Sequence, residues 1–484
     1  MTIFTLVLYI AIAALALTLL TALVFKGHKS WLMTFLQNFC GSLFIFSGFV
    51  KAVDPLGTAF KMEQYFAEFH HTFGQTALKF IAPVFPWLSS ISIVFSVSMI
   101  VFEIVLGLML LMGAKTRFTS WAFLILVGFF TFLTGYTYLT GYVPGDANFF
   151  EFGKWGAYVE TNMKVTDCGC FGDFLKLKPK VSFLKDVFLL LPAFFFVFRH
   201  RQMHQWFTPR VRTAIIWLSV AGLTWFCLRN FMWNEPIVDF RPFYVGADVR
   251  TKRQAELDAA GNVKVTGYKV TEKATGKVVE MTTEQYLKDY ASYPTEKWEL
   301  EQIKTEPEIE ATKLTDFDIS DADGGNVTET ILSDPNYSFM VNAYKIKTLE
   351  GKGKGSTTVQ DTVFAPDTIV MKALSGGDSA VIRKKVVSVN PRQVETEVTV
   401  FDEEYARRFI ERINPVMVVA EKAGYNVFAV TAPNDPAIVN DFRHGTQSAY
   451  PFYTADDLLL KTIQRSNPGV VLWKDGKILA KWHY

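Results

Sequence analysis

Long apolar blocks fill the first half of the chain, whereas apolar and polar residues alternate over short distances in the second. Six blocks are long enough to cross about 30 Å of hydrocarbon as helices rising about 1.5 Å per residue. They lie at roughly 3–25, 32–53, 89–114, 118–140, 182–199 and 213–232. The first has neither a basic leader nor a small-x-small cleavage signal, so it reads as a retained span. Between the second and third, Phe60, Tyr65, Phe66, Phe69 and Phe73 recur at helical intervals among charges, the pattern of a helix lying at a membrane interface. Pro83 and Pro86 then break it.

From Asn234 onward the pattern becomes charged and turn-rich. The organisation expected is an N-terminal span (1–31), a helical bundle (32–200), a sixth span (201–232), a linker carrying a small β-rich element (233–329) and an α/β domain (330–484). In that last domain strands near 337–345 and 425–431 are separated by a helical stretch near 402–423. Helices near 435–444 and 454–465 follow, then a hairpin turning at Lys474-Asp475-Gly476-Lys477. Residues 345–396 are too long for an ordinary loop and read as an inserted β-element or a recognition segment.

Charge sets the orientation. Lys26 and Lys29, Lys115 and Arg117, and Arg199, Arg201, Arg210 and Arg212 fall in three loops that six crossings bring to one side, the cytoplasmic one by the positive-inside rule. The rest, including everything after residue 232, then faces outward, although Lys176, Lys178 and Lys180 run against the rule. Hydrophobic residues make up 50% of the chain and charged ones 20%, with a formal net charge of +2. No zinc-ligand spacing and no basic-aromatic nucleic-acid motif occurs, and the calcium-loop-like Asp321-Ala322-Asp323-Gly324-Gly325 has its glycine one position late and reads as a turn, so neither a metal nor a nucleic acid is expected.

The candidate chemistry gathers in Thr166-Asp167-Cys168-Gly169-Cys170-Phe171-Gly172-Asp173. A disulfide between Cys168 and Cys170 would close a small strained ring, more suited to exchange than to stapling, while two thiols that merely tighten a loop are the plainer alternative. Cys227, in the outer part of the sixth span, could approach the pair; Cys40 reads as a small buried hydrophobe. Glu103, in the middle of the third span, is costly there and suggests a functional pairing. Lys51 and Asp54 end the second span, where snorkelling and a helix end account for them.

Together these residues resemble a known family. Asn38-Phe39-Cys40-Gly41 through Ser47-Gly48-Phe49-Val50-Lys51, Glu103-Ile104-Val105-Leu106-Gly107, Cys168-Gly169-Cys170-Phe171-Gly172 and Phe183-Leu184-Lys185-Asp186 look like the DoxX/MauE family of small membrane bundles, over about residues 32–200. The resemblance implies a four-helix core, a redox pair at Cys168 and Cys170, polar positions at Lys51, Glu103 and Asp186, and a link to quinone and to disulfide formation in periplasmic partners. Ser466-Asn467-Pro468-Gly469-Val470 resembles the cis-proline segment of thioredoxin-like domains, with Pro468 as the proline, yet no cysteine follows Cys227. Two functions are therefore expected: an accessory or scaffold subunit of a bacterial cell-envelope complex, in the inner membrane with a periplasmic docking domain, or a quinone- or thiol-linked oxidoreductase working through Cys168 and Cys170.

Overall fold

The computed structural model describes residues 2–165, 169–273, 275–372 and 378–484, with side chains described outside 350–398. Six helices are long and apolar enough to cross a membrane: α1 (Ile3–Leu23), α2 (Trp31–Val53), α5 (Ser92–Met112), α6 (Thr116–Leu139), α7 (Pro179–Arg199) and α8 (Pro209–Leu228). The chain is a multi-pass membrane protein. Between α2 and α5 lie α3 (Pro55–Gly74), the expected amphipathic helix, and the short α4 (Val84–Ser90). Asp54 caps α3 by accepting from the Gly57 amide at 3.1 Å, with Pro55 in the first turn where its missing N–H costs nothing.

Glycine brings α2 and α5 close together. A Cβ on Gly107 would lie 2.8 Å from the Gly41 carbonyl, and one on Gly48 would lie 2.5 Å from the Ile104 side chain. The three basic loops do meet at one end of the bundle: Lys29 Nζ donates to the Arg201 carbonyl at 3.1 Å and Arg212 to the Gly113 carbonyl at 2.6 Å. The opposite end carries Asp54, the loop that follows α6, and the second half of the chain.

That half begins with α9 (Val249–Gly261), a helix inside the stretch expected to be linker. A three-stranded antiparallel sheet follows, in order β2-β1-β3, from β1 (Val265–Glu272), β2 (Val278–Thr282) and β3 (Trp298–Lys304), with α10 (Thr283–Asp289) opened by a Thr282/Gln285 capping box. The α/β unit comprises β4 (Ile319–Ser320), α11 (Thr328–Leu332), β5 (Tyr337–Ala343), β6 (Thr348–Lys372), β7 (Asp378–Phe401), α12 (Glu403–Arg408), α13 (Asn414–Lys422), β8 (Asn426–Thr431), α14 (Pro436–Thr446), β9 (Phe452–Ala455), α15 (Asp457–Ile463), β10 (Gly469–Lys474) and β11 (Lys477–His483). Its sheet runs β11-β10-β5-β8-β9-β4, with β5, β8 and β9 parallel and β10 and β11 antiparallel to their neighbours. Strands β6 and β7, the expected insertion, pair with each other as a long two-stranded ribbon.

Alternate strand residues feed two cores. Met340, Phe428, Val430 and Val471 face one, Val341, Ala429 and Val470 the other, as period-2 side chains on a doubly covered sheet must. The first core also takes Phe243, Val249, Leu314 and Phe317, so the α/β unit draws in residues from well before position 330. Asp475 (φ 46°) and Gly476 (φ 70°) form the tight turn of the β10–β11 hairpin, and the Asn467–Pro468 peptide is cis.

Candidate functional site

The site is assembled where α2, α5, α6 and α7 meet the loop after α6. Ser47 and Lys51 stand one turn apart on α2, so both face the same neighbours. Lys51 Nζ lies 2.8 Å and 3.0 Å from the two Glu103 carboxylate oxygens on α5 and donates to Ser47 Oγ at 3.0 Å. The side chains of this pair are only 5% and 2% exposed, so the charges are compensated by each other and not by water. Lys51 therefore does not snorkel: its tip turns inward because Glu103 is there to receive it. On α7, Lys185 pairs with Asp186, whose other oxygen accepts from Thr134 of α6 at 3.0 Å.

Cys170 joins these two pairs. Gly169 (φ 60°) and Gly172 (φ 52°) supply the left-handed positions of a tight turn that closes with Gly172 N donating to the Gly169 carbonyl at 3.1 Å. Phe171 is buried against Phe46, and Ser47 Oγ donates to the Cys170 carbonyl at 2.9 Å, which ties the turn to the same helix that carries Lys51. A cavity of about 260 Å³ is lined by Ser47, Lys51, Glu103, Cys170, Lys185 and Asp186, with an apolar wall of Val127, Phe130 and Leu133. Burial pushes the Cys170 thiol up, and the nearby Lys185 charge offsets only part of this. Among the described residues Cys170 has no disulfide partner.

Cys168, the other expected redox residue, lies outside the described residues. Cys227 is not part of the cavity lining; it is packed with Ala52, Ile100 and Ile104, because its face of α8 turns toward α2 and α5. Cys40 is fully buried in the bundle core. Among the described residues no group of His, Cys, Asp and Glu could hold a metal ion.

The α/β domain roofs the cavity with residues that sequence reasoning did not single out. Arg465, at the end of the segment after α15, binds Asp54 bidentately through Nε and Nη2, at 2.9 Å and 2.6 Å, and reaches Asp173 at 3.1 Å. Its guanidinium also stands 5.5 Å from the Phe60 ring centre. Burial works to raise the Asp54 carboxyl, but Arg465, with Arg241 and the Gly57 amide, holds the group below the usual carboxylate range. The Arg465 and Ser466 amides both donate to the Glu235 carboxylate, at 3.2 Å and 2.9 Å. Beside it, Asp239 takes Arg241 at 2.6 Å and Lys481 at 2.9 Å. Burial, and then the neighbouring Arg241, bring Lys481 down to about 8. The one local signal for this group was an arginine two residues before the Asn467-Pro468 pair; its partners lie hundreds of residues away in the chain.

A multi-pass bundle with a buried, charge-compensated cavity, closed from one end by an α/β domain, is the class that this geometry defines. Residues 29–144, from α2 through α6, match the family model described as methylamine utilisation protein MauE. The match includes Lys51, Asp54 and Glu103 and ends before Cys170 and Asp186. No curated protein and no solved structure matches the chain.

Proposed function

We propose that this protein is an accessory subunit of a bacterial cell-envelope system whose bundle carries a thiol-redox centre, with Cys168 and Cys170 as the exchanging pair and the soluble half as its docking module. The observation that carries this reading is the position of Cys170 on the wall of a buried cavity between the Lys51–Glu103 and Lys185–Asp186 pairs. Paired charges of that kind hold a fixed polar environment inside a membrane domain, where an unpaired polar group is costly. In the exchange, a client dithiol gives two electrons and two protons to a Cys168–Cys170 disulfide; the client leaves with a disulfide and the pair becomes two thiols.

Return to the disulfide needs a two-electron acceptor. The cavity fits a quinone ring in its donor set, since the Lys51 ammonium stands beside the apolar wall of Phe130 and Leu133. A bound quinone would supply the oxidant, with Lys185 placed to orient a carbonyl oxygen and Val127, Phe130 and Leu133 as the apolar wall against its ring. The parallel pair β5–β8, the antiparallel β10 and the position of Pro468 just before it support a thioredoxin-like reading of the second half, one that lacks thiols of its own. The clustering of the basic loops at the far end supports a cytoplasmic position for that end and a periplasmic one for the soluble half. The family description points to methylamine utilisation as the system to examine first for partners.

The test is a trapping experiment. With Cys168→Ser, Cys170 should accumulate in a mixed disulfide with an envelope protein, resolved by mass spectrometry after alkylation. A Cys170 that stays an unmodified thiol under every redox condition would overturn the redox reading.

A further inference from the structure

The strip Gln464 to Pro468, which joins α15 to β10, is held by distant parts of the chain itself. Its two free amides at Arg465 and Ser466 are satisfied by Glu235, and the Arg465 side chain is buried in the carboxylates of Asp54 and Asp173. Asp54 caps the helix that follows α2, and Asp173 lies three residues beyond Cys170. One guanidinium thus joins the α/β domain both to the bundle and to the cysteine-bearing turn.

We infer that this strip is a reversible latch whose partner is the chain's own membrane half: Arg465, clamped by Asp54 and Asp173, holds the soluble domain over the cavity and controls access from the aqueous side to Cys170. The contact suits a latch because its centre is charged. Ion pairs taken out of water gain little net free energy over their solvated separate states, whereas a broad apolar junction would stay shut. The contacts are also specific, since a bidentate fork fixes both distance and orientation. Opening exposes the two carboxylates beside Cys170, so a partner that engages the open site meets an acidic rim and is favoured if it brings a cation of its own. Glu235, Asp239 and Arg241 lie on the connection between α8 and α9, where a hinge belongs, and Lys481 of β11 holds Asp239.

The experiment reads the labelling rate of Cys170 in the full-length protein in nanodiscs, with a bulky, membrane-impermeant maleimide and peptide mapping by mass spectrometry. Wild type should label slowly, Arg465→Glu at least about tenfold faster, and the exchanged pair Asp54→Arg with Arg465→Asp should recover most of the protection. Arg465→Gln serves the same purpose should the charge reversal fail to fold. Equal rates in wild type and in either Arg465 variant would overturn the latch, as would wild-type labelling as fast as in denaturant. The inference takes from the proposed function only the idea that Cys170 has a client. Protection that depends on Arg465 without any mixed disulfide would leave the latch standing and remove the redox reading; a trapped mixed disulfide with no effect of Arg465 would do the reverse.

Discussion

Two sets of buried charges lie a short way apart in this protein, and they were built differently. Inside the bundle, Lys51–Glu103 and Lys185–Asp186 join residues of membrane-spanning helices. At the junction, Arg465 joins Asp54 and Asp173 across more than 290 residues of sequence, and Arg241, Asp239 and Lys481 extend the network. The first set sits among membrane-spanning helices, where an unpaired charge is costly, so it is committed to staying paired. The second can exchange its partners for solvent when the domain lifts. The comparison teaches that one cavity can combine a rigid floor with a releasable roof, using the same kinds of side chain.

The sharpest break in that comparison comes from the floor. Lys51→Met alone, or Glu103→Gln alone, should lower bundle stability by about 3–5 kcal/mol by stranding a buried partner, while Lys51→Met with Glu103→Leu should recover most of the loss. Unfolding in mixed micelles followed by tryptophan fluorescence measures this, and singles no worse than the double would refute it. At the roof, Asp54→Asn should weaken docking by about 1.5–3 kcal/mol and leave the bundle's unfolding transition in place, seen as faster proteolysis between the halves. If the bundle melts with it, the separation of floor from roof fails.

Packing should cost somewhat less. Gly107→Val forces α5 away from the Gly41 carbonyl and should destabilise the bundle by about 1–3 kcal/mol, with no change in docking. Acid should open the roof. Asp54 has a carboxyl held below the usual range when docked, against the effect of burial, first by Arg465 across the junction. Its contribution is therefore fully present above the ordinary carboxylate value and is lost as pH falls through the docked one. Proteolytic accessibility of residues 234–248 across pH should rise on the acid side, and a flat profile there would contradict the linkage. The smallest effect belongs to an exposed pair away from both sets: Lys269→Ala, which loses Glu301 on the three-stranded sheet, should change stability by less than about 1 kcal/mol.

Much of the floor was readable in advance. Glu103 stood out because a carboxylate in an apolar span needs a reason, and Lys51 and Asp186 came forward through the family resemblance. Lys51 was misjudged as a snorkelling side chain, since nothing in a linear pattern says that Glu103 lies across from it. The amphipathic run after Asp54 and the Asp475-Gly476 turn were legible because their periodicity and turn chemistry are local. Helix α9 was missed: Val249 to Gly261 is mostly polar, and its buried side is a few residues that only the α/β core reveals. Arg465 was invisible as a site residue, because an arginine in a polar stretch reads as solvated.

By itself, then, the sequence determined six apolar helices, their basic loops, a β-rich second half without cysteine after Cys227, and a cysteine-bearing turn made possible by two glycines. These follow from local rules of hydropathy, period and backbone freedom. Only the tertiary structure decided that Lys51 meets Glu103, that Cys227 turns away from the cavity, and that Arg465 closes it over Asp54 and Asp173. Those outcomes depend on which faces of distant elements are brought together, and pairing energies of that kind arise only once the chain has packed.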